Sequence, residues 1–533
     1  MTPRAATGPG RALLITVLAA SVLAPLAALW GVGHAQVEDY LGPHRATFAA
    51  DYSGEVTLDL GPLGNAYLPS RAAPIGVQVV VGGVGTASES LSALFSEETL
   101  SAYATLYTDP DDVVAALVAR LAQDALVESA KAEAVLLAGF VLFWLRARLL
   151  APGVASRMTR RRSVALYLAV LGLTAGSILV PGRPPENRIA VPASLGSRFA
   201  TVTVDSVLLA DALDRGLQGV RLLSDRQERA VTAFLDAATA SLSEQLAGLP
   251  RPRSDESMLM GYSDLHCNQA MTELISRLAR VTEPAVVLSS GDDTVHGTAA
   301  ERGCIRREAG IYANPAVVVA TGNHDSEVTE TQMRGAGMTV LDGGVVEAGG
   351  VRVLGDDDPE RNIPFSVQRT QERAESEEQL GQRLVDVARS RTTDVILVHQ
   401  PAAAAVIMAT ADPPARLVLW GHFHSQSGPT VVTHTDGSWT VGMREGTAGG
   451  VRQPTITSFS TPFSPPLLTA DVYFYFRDTA TGLVTGVQPV HVRPNGTVVI
   501  DARVTTGVVS GVPMATRKRL TEEAGNPGPT PSR

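Results

Sequence analysis

Five short apolar runs, each broken off by a cluster of Asp, Asn or His, constrain what residues 257–424 can fold into more than any other feature of the chain. MLMGYS leads into Asp264-Leu-His266, AVVLSS into Gly291-Asp292, and AVVVAT into Gly322-Asn323-His324-Asp325; DVILV leads into His399, and RLVLW into Gly421-His422-Phe-His424. Runs this short and this apolar fit strands buried on both faces, and helical stretches such as 268–281 and 369–390 separate most of them. The alternation predicts an α/β arrangement around a largely buried sheet, with polar clusters gathered beyond the carboxyl ends of the strands. Residues 428–505 read as β-rich, with turn signals at Asp436-Gly437 and Asn495-Gly496. Residues 511–533 carry no periodicity and read as disordered.

The rest of the chain is set by apolar segments. The sequence has 533 residues, 45% of them hydrophobic, and a mean hydropathy of +0.11. Residues 12–32 hold no charge and are long enough to cross a hydrocarbon core of about 30 Å. A cleaved signal peptide has a shorter apolar region, roughly 7–15 residues, though Gly33-His34-Ala35 offers a small-x-small site. The length of the run favours an uncleaved anchor. Residues 134–150 are interrupted by Arg146 and Arg148, whose side chains can snorkel to an interface; a buried or interfacial helix is the other reading. Residues 163–181 are uncharged and of spanning length. Arg146, Arg148, Arg157, Arg160, Arg161 and Arg162 cluster between the second and third segments, and the positive-inside rule keeps such a loop in the cytoplasm. Residues 33–133 and everything after 182 are then expected outside.

The organisation expected is a membrane anchor or signal peptide at 1–35, an extracytoplasmic β/α region at 36–133, and two transmembrane helices at 134–181. A linking region at 182–255 follows, with a helix from about 222 to 247. Residues 256–510 form the domain of the five clusters, and the tail is 511–533. The net charge of -10 and a pI of about 5.6 exclude a general nucleic-acid binder, which needs a basic stripe to displace phosphate counterions.

Carboxylate, amide-oxygen and imidazole donors suit manganese, iron or zinc better than a thiolate-loving ion. In this order, the clusters resemble those of the calcineurin-like metallophosphoesterase family. The resemblance covers about residues 257–445, with all five blocks present. It implies an α/β domain built as a β-sandwich flanked by helices, here preceded by an N-terminal region with transmembrane helices. It also implies one metal ion on Asp264, His266, Asp292 and His424 and a second on Asp292, Asn323, His399 and His422, with Asp292 bridging. His324 takes the place of the family's proton donor, with Asp325 orienting its imidazole. Two cations about 3.5–4 Å apart can bind a phosphoryl oxygen and convert a shared water to a hydroxide that attacks phosphorus in line.

The expectation is therefore a membrane-anchored, extracytoplasmic hydrolase of a phosphate ester or anhydride. Its substrate would be phosphorylated, and tethering at the bilayer points toward an envelope- or lipid-linked one. The alternative is a catalytically weak sensor or binding protein for a phosphate ligand on the same fold; such a chain is expected to lack a ligand or the proton donor, and this one lacks neither. Asp293 and His296 are either supporting groups or loop polarity, Asn268 a substrate contact or a helix cap, and Arg444 a phosphate contact or a solvated side chain. Cys267 and Cys304 would pair in an oxidising compartment; a reactive or metal-bound Cys267 is the other reading.

Overall fold

The computed structural model describes residues 9–42, 44–82, 110–150, 187–191, 201–364, 368–452 and 464–508. Two compact units emerge, one from residues 1–103 and 114–220, the other from 104–113 and 221–533.

The first unit is built on α1 (Pro9–His34), β1 (Gln36–Leu41), β2 (His44–Asp51), β3 (Glu55–Asp59), β4 (Asn65–Pro69) and β5 (Gly76–Val81). It continues with α2 (Pro110–Leu150), β6 (Ile189–Ala190), β7 (Thr203–Val204) and the start of α3 (Val207–Glu244). The strands form one sheet in the order β1-β2-β5-β3-β4-β7-β6. In β2 the buried residues alternate, with Ala46, Phe48 and Ala50 inward against Val79 and Val81 of β5, as expected of a strand with one face covered. Among the described residues that precede α3, β7 covers only Thr203–Val204. Ser206 Oγ accepts from Leu209 N at 3.4 Å, so the apolar Val207 and Leu208 open a helix instead.

The expected transmembrane helices find no support here: among the described residues no helix is long and apolar enough to cross a membrane. Residues 12–32 fall within α1 and residues 134–150 within α2, which runs unbroken through the expected boundary at 133/134. The segment 163–181, the arginines at 157–162 and the tail 511–533 lie outside the described residues.

The second unit contains β8 (Glu256–Tyr262), α4 (Gln269–Thr282), β9 (Val286–Ser289), α5 (Arg302–Ala309), β10 (Val318–Val319), α6 (Glu327–Gly335) and β11 (Thr339–Val340). Then come β12 (Val345–Ala348), β13 (Val351–Gly355), β14 (Glu360–Asn362), β15 (Arg369–Gln371), α7 (Glu377–Ser390), β16 (Val395–Leu397), α8 (Pro401–Ala409) and β17 (Leu417–Trp420). The last elements are β18 (Ser427–Thr433), β19 (Trp439–Arg444), β20 (Ala470–Asp478), β21 (Val484–Val492), β22 (Val498–Ile500) and β23 (Val504–Thr505). Two sheets result. One has the order β11-β10-β9-β8-β20-β21-β22, with β23 also on β21; the other has the order β12-β13-β16-β17-β19-β18.

Apolar runs with no visible alternation nevertheless alternate in their destinations. Leu259, Val286, Leu288 and Val318 of the first sheet meet Val353, Val395, Leu397, Leu417 and Leu419 of the second in one buried cluster. Their neighbours Met258, Met260, Val287 and Val319 turn outward under α4, while Ile396, Val398 and Val418 turn outward under α7 and α8. Both faces of the central strands of both sheets are therefore dry, and the unit is a β-sandwich flanked by helices. The turn signals hold, since Asp436-Gly437 joins β18 to β19 and Asn495-Gly496 joins β21 to β22; each glycine has φ 83°.

Candidate metal centre

Each of the five apolar runs ends where a ligand-bearing loop begins. Strand β8 stops at Tyr262, β9 at Ser289 and β10 at Val319 in one sheet; β16 stops at Leu397 and β17 at Trp420 in the other. Strands β8, β9 and β10 run parallel, as do β16 and β17, so the loops leave the same end of the sandwich. Two clusters assemble there: Asp264, His266 and His424, and Asp292, His399 and His422, each with its ligand atoms within 4.8 Å of one another.

The loops are tightly specified. Among the described residues eight non-glycine positions have positive φ, and five of them are Asp264, His266, Asp292, His422 and His424, at φ 46° to 77°. An L-residue in this region costs about 1–2 kcal/mol, and such backbone gathers where the surroundings over-determine it. Gly322 shows how close the loops lie: a Cβ there would collide with Asp292 Oδ1 and stand 2.6 Å from Asp292 N and 2.8 Å from His399 Cγ.

Asp292 sits between the clusters. Its Oδ1 accepts the His324 N–H at 2.8 Å, and its Oδ2 lies 3.1 Å from His399 Nε2 and 3.9 Å from His266 Nε2. Asp264 Oδ1 is 3.2 Å from His424 Nε2, and Asn323 Oδ1 is 2.9 Å from His422 Nδ1. The structure thus brings all seven expected ligands to one place.

Whether these residues fit cations can be read from their protons. The Nδ1 atoms of His266, His424 and His399 lie 3.1, 3.0 and 2.9 Å from the carbonyl oxygens of Thr294, Val451 and Ser290. A carbonyl only accepts, so each Nδ1 carries the hydrogen, and each ring, once it gives up any second proton, turns a bare Nε2 inward. His266 Nε2 and His424 Nε2 then face each other at 3.1 Å, lone pair to lone pair. His399 Nε2 faces Asp292 Oδ2, and Asp264 Oδ1 faces His424 Nε2. Acceptors turned toward acceptors call for a proton or a cation between them, so the donor set fits two metal ions.

The electrostatics agree. Burial pushes the His266 imidazole down to about 3 and that of His422 down to about 4, which keeps both rings neutral and able to ligate. His399 feels the same burial, yet Asp292 and Asp264 pull it up to about 10. Without a metal, a proton there supplies the positive charge that two buried carboxylates require. Below it, Ser290 Oγ donates to Glu445 Oε2 at 2.8 Å, and burial pushes Glu445 up to about 8. Glu445 thereby fixes the residue whose carbonyl sets the His399 tautomer.

His324 stands at the rim, half-buried, its ring centroid 4.8 Å from that of His266. Its Nδ1 donates to Val295 O at 2.6 Å, which leaves Nε2 as the nitrogen available for proton transfer. Asp325 does not do what was expected of it. Rather than orienting the His324 ring, its carboxylate accepts the backbone N–H groups of Asp292, Thr294 and Gly322 at 2.9–3.0 Å. The side chain thereby clamps the loop of Asp292 to the loop of Asn323.

Of the neighbours, Asn268 caps α4 by accepting from Met271 N and donates to Gly449 O. Asp293 accepts from Ser289 Oγ, and Arg444 donates to Ser425 O and lies over the Phe423 ring. Cys267 and Cys304 form a disulfide with their Cα atoms 5.3 Å apart, tying the residue after His266 to α5. Sequence reasoning missed Glu445, which lies in a glycine-rich stretch, and Gln400, which donates to Asn323 Oδ1 at 3.3 Å and Asp358 Oδ2 at 2.7 Å. It also missed Asn362, whose Nδ2 is 2.7 Å from His324 Nε2. Gln400 directly follows His399 and offered a signal by position; Asn362 and Glu445 are brought in by tertiary contacts alone.

Residues 259–426 match the family model described as calcineurin-like phosphoesterase. No curated protein matches the chain. Among solved structures, NAD nucleotidase of Haemophilus influenzae is 10% identical, with 50% of this chain and 62% of that one covered and a TM-score of 0.29; the chain thus spans less than two thirds of that enzyme's length. A predicted phosphoesterase of Streptococcus pneumoniae is 12% identical over 47% of this chain and 99% of that one, with a TM-score of 0.22. Yfce, a phosphoesterase from E. coli, is 14% identical over 46% and 98%, with a TM-score of 0.23. Scores this low add nothing to the assignment, which rests on the sequence match together with the five motif blocks. Residues 259–426 are a calcineurin-like phosphoesterase domain, whose first sheet is completed by the strands β20–β23 that follow the match.

Proposed function

We propose that the chain is a dinuclear metal-dependent hydrolase of phosphate esters or anhydrides, held at the outer face of a membrane. The observation that carries the chemistry is the inward-facing acceptor set around Asp292 Oδ2. One ion would be held by Asp264, His266, Asp292 and His424, the other by Asp292, Asn323, His399 and His422. Manganese, iron or zinc bound there supplies Lewis acidity toward a phosphoryl oxygen and lowers the pKa of water.

The chain's own residues do the rest. Asp292 holds its Oδ2 toward both clusters because the His324 N–H occupies its Oδ1. Asp325 keeps the two central loops in register, and the backbone carbonyls of Thr294, Ser290 and Val451 hold the imidazole tautomers. His324 moves a proton at Nε2 to the leaving oxygen, a role that contributes about 10²–10⁴ in rate where it operates.

Location is supported by the charge-free segment 12–32, by the arginines at 146–162, and by the Cys267–Cys304 disulfide, a bond that persists in oxidising compartments. A substrate linked to a lipid or the envelope follows from tethering. The test is hydrolysis of p-nitrophenyl phosphate and bis-p-nitrophenyl phosphate by the purified protein supplied with manganese, iron or zinc. Turnover that vanishes with chelator and in Asp292→Asn is expected. Metal-loaded protein that cleaves neither compound, nor any of a panel of nucleotides and phospholipids, refutes the reading. Reporter fusions at residue 155 and at the C-terminus test the topology: activity of an extracytoplasmic reporter is expected at the C-terminus alone.

A further inference from the structure

The two-stranded hairpin of β14 and β15 lies against the metal centre without contributing a ligand. Its backbone is pinned there, because Asn362 N donates to Asn323 O at 2.7 Å. Asn362 and Arg369 are direct cross-strand partners, and this one pair reaches both sides of the site. Asn362 Nδ2 meets His324 Nε2, while Arg369 Nη2 meets His422 Nε2 at 3.1 Å.

Arg369 is an unusual neighbour for a cation site. A guanidinium offers five donors and no acceptor and keeps its charge at any working pH. Placed one hydrogen bond from a metal-ligating imidazole, it repels the cations that the site collects. Among the described residues its one ion pair is with Glu360 Oε2 at 3.4 Å, Glu377 adds a longer-range attraction, and both partners of the pair are open to solvent, 40% and 33% exposed. The other arginines of this region are saturated. Arg361 is buried among Glu330, Glu372 and the Asp325 carbonyl, while Arg373 and Arg383 are bound to Asp356. A half-exposed guanidinium facing a cluster of cations is electrostatically favourable only when an anion with several oxygens lies between them. Guanidinium matches phosphate in this way, two parallel N–H groups to two oxygens.

We propose that Arg369 binds the phosphoryl group of the substrate, taking non-bridging oxygens from the side opposite the metal ions, with Asn362 positioning His324 across the same group. This rests on the hydrolase reading above and adds a residue to it that none of the five motifs contains. Asn362 Oδ1 is buried with no hydrogen-bond partner; with the amide turned over, it accepts the Nε2–H that His324 carries as an acid. In binding the phosphoryl group, Arg369 leaves His422 and frees that ring to ligate.

The experiment is calorimetric titration of inorganic phosphate into manganese-loaded protein, wild type against Arg369→Met and Arg369→Lys, with manganese content and affinity measured in parallel. Arg369→Met should weaken phosphate binding about ten- to a hundredfold, the loss expected for a charge-assisted hydrogen bond, while manganese binds equally or more tightly. Arg369→Lys, which keeps the charge but not the fork, should fall between. The Michaelis constant for bis-p-nitrophenyl phosphate should rise with phosphate dissociation. Unchanged phosphate affinity in Arg369→Met, with wild-type binding intact, overturns the inference alone. So does a variant that loses manganese, because Arg369 would then serve only to hold His422. Wild-type protein that takes up manganese but neither binds phosphate nor cleaves an ester overturns the hydrolase reading, and this inference with it.

Discussion

Asp292→Asn separates a metal-bridging carboxylate from a merely structural one, because only a bridging carboxylate makes the stabilisation by added metal disappear with it. The substitution keeps volume and keeps an oxygen for the His324 N–H, which Asp292 Oδ1 accepts at 2.8 Å. It replaces Oδ2, the atom between His399 Nε2 and His266 Nε2, with an amide that carries no charge. A unit charge about 4 Å from a unit cation is worth about 4 kcal/mol at an effective dielectric of 20. Each metal should therefore bind about a thousandfold more weakly, and hydrolysis should vanish at micromolar metal. In the metal-free protein His399 outweighs burial and holds the Asp292 carboxyl well below its usual range, so the amide removes a favourable pairing. Thermal unfolding with chelator should leave the variant at or below the wild type. Adding manganese to a hundred times its dissociation constant should stabilise the wild type by about 2.7 kcal/mol and leave the variant unmoved. A variant that still binds two manganese ions within tenfold of wild-type affinity would refute the bridging geometry.

His324→Ala should lower kcat by about 10²–10⁴ with manganese content unchanged by elemental analysis; loss of metal instead would make His324 a support of the ligand loops. Metal uptake should release protons, because burial is outweighed by Asp292 at His399, raised to about 10, and by Asp264 at His424, also raised. Affinity should then climb with pH through the neutral range, about tenfold per unit for each proton displaced, and calorimetry in buffers of different ionisation enthalpy counts those protons. Away from the site, Arg503 grips the 2% exposed Glu256 carboxylate through both oxygens and holds it down at about 2. Its folded-state pKa is depressed, so this contribution is present above about 4.5 and fades as pH falls toward 2. Glu256→Gln should cost at most about 3 kcal/mol by urea unfolding at pH 7, and the gap should narrow at pH 3.

The candidate site was legible because its chemistry is local in sequence. Each ligand sits within four residues of a strand end, so an apolar run followed by Asp, Asn or His marks both the strand and the group it delivers. The buried strands were legible for the same reason, since strands dry on both faces cannot alternate; their division into two sheets packed as a sandwich came only with the family resemblance. What escaped was non-local. Asn362 and Arg369 come from a hairpin of three-residue strands with no apolar signature, and Glu445 supports Ser290 across 155 residues of chain. Asp325 was misread because adjacency to His324 suggested a ring contact, whereas its oxygens meet the backbone of a loop some thirty residues earlier. The long helices were misjudged at their ends. α3 begins at Val207, well before its amphipathic pattern is clear, and α2 carries a charged stretch and an apolar stretch in one continuous helix.

The left-handed backbone of the ligands ties these threads together. Glycine would relax Asp264, His266, Asp292, His422 and His424, yet none can be glycine and remain a ligand. Five such residues together cost about 5–10 kcal/mol, comparable to the whole stability of an ordinary domain. The cost is sustainable because every loop leaves a strand that is almost wholly buried, and because Asp325 and the Cys267–Cys304 bond restrain the loops from outside the ligand set. Loop strain of this kind also explains why the two clusters are preformed. With the carbonyls of Thr294, Ser290 and Val451 fixing the tautomers in advance, a cation entering the site needs to displace protons but not to reorganise the chain.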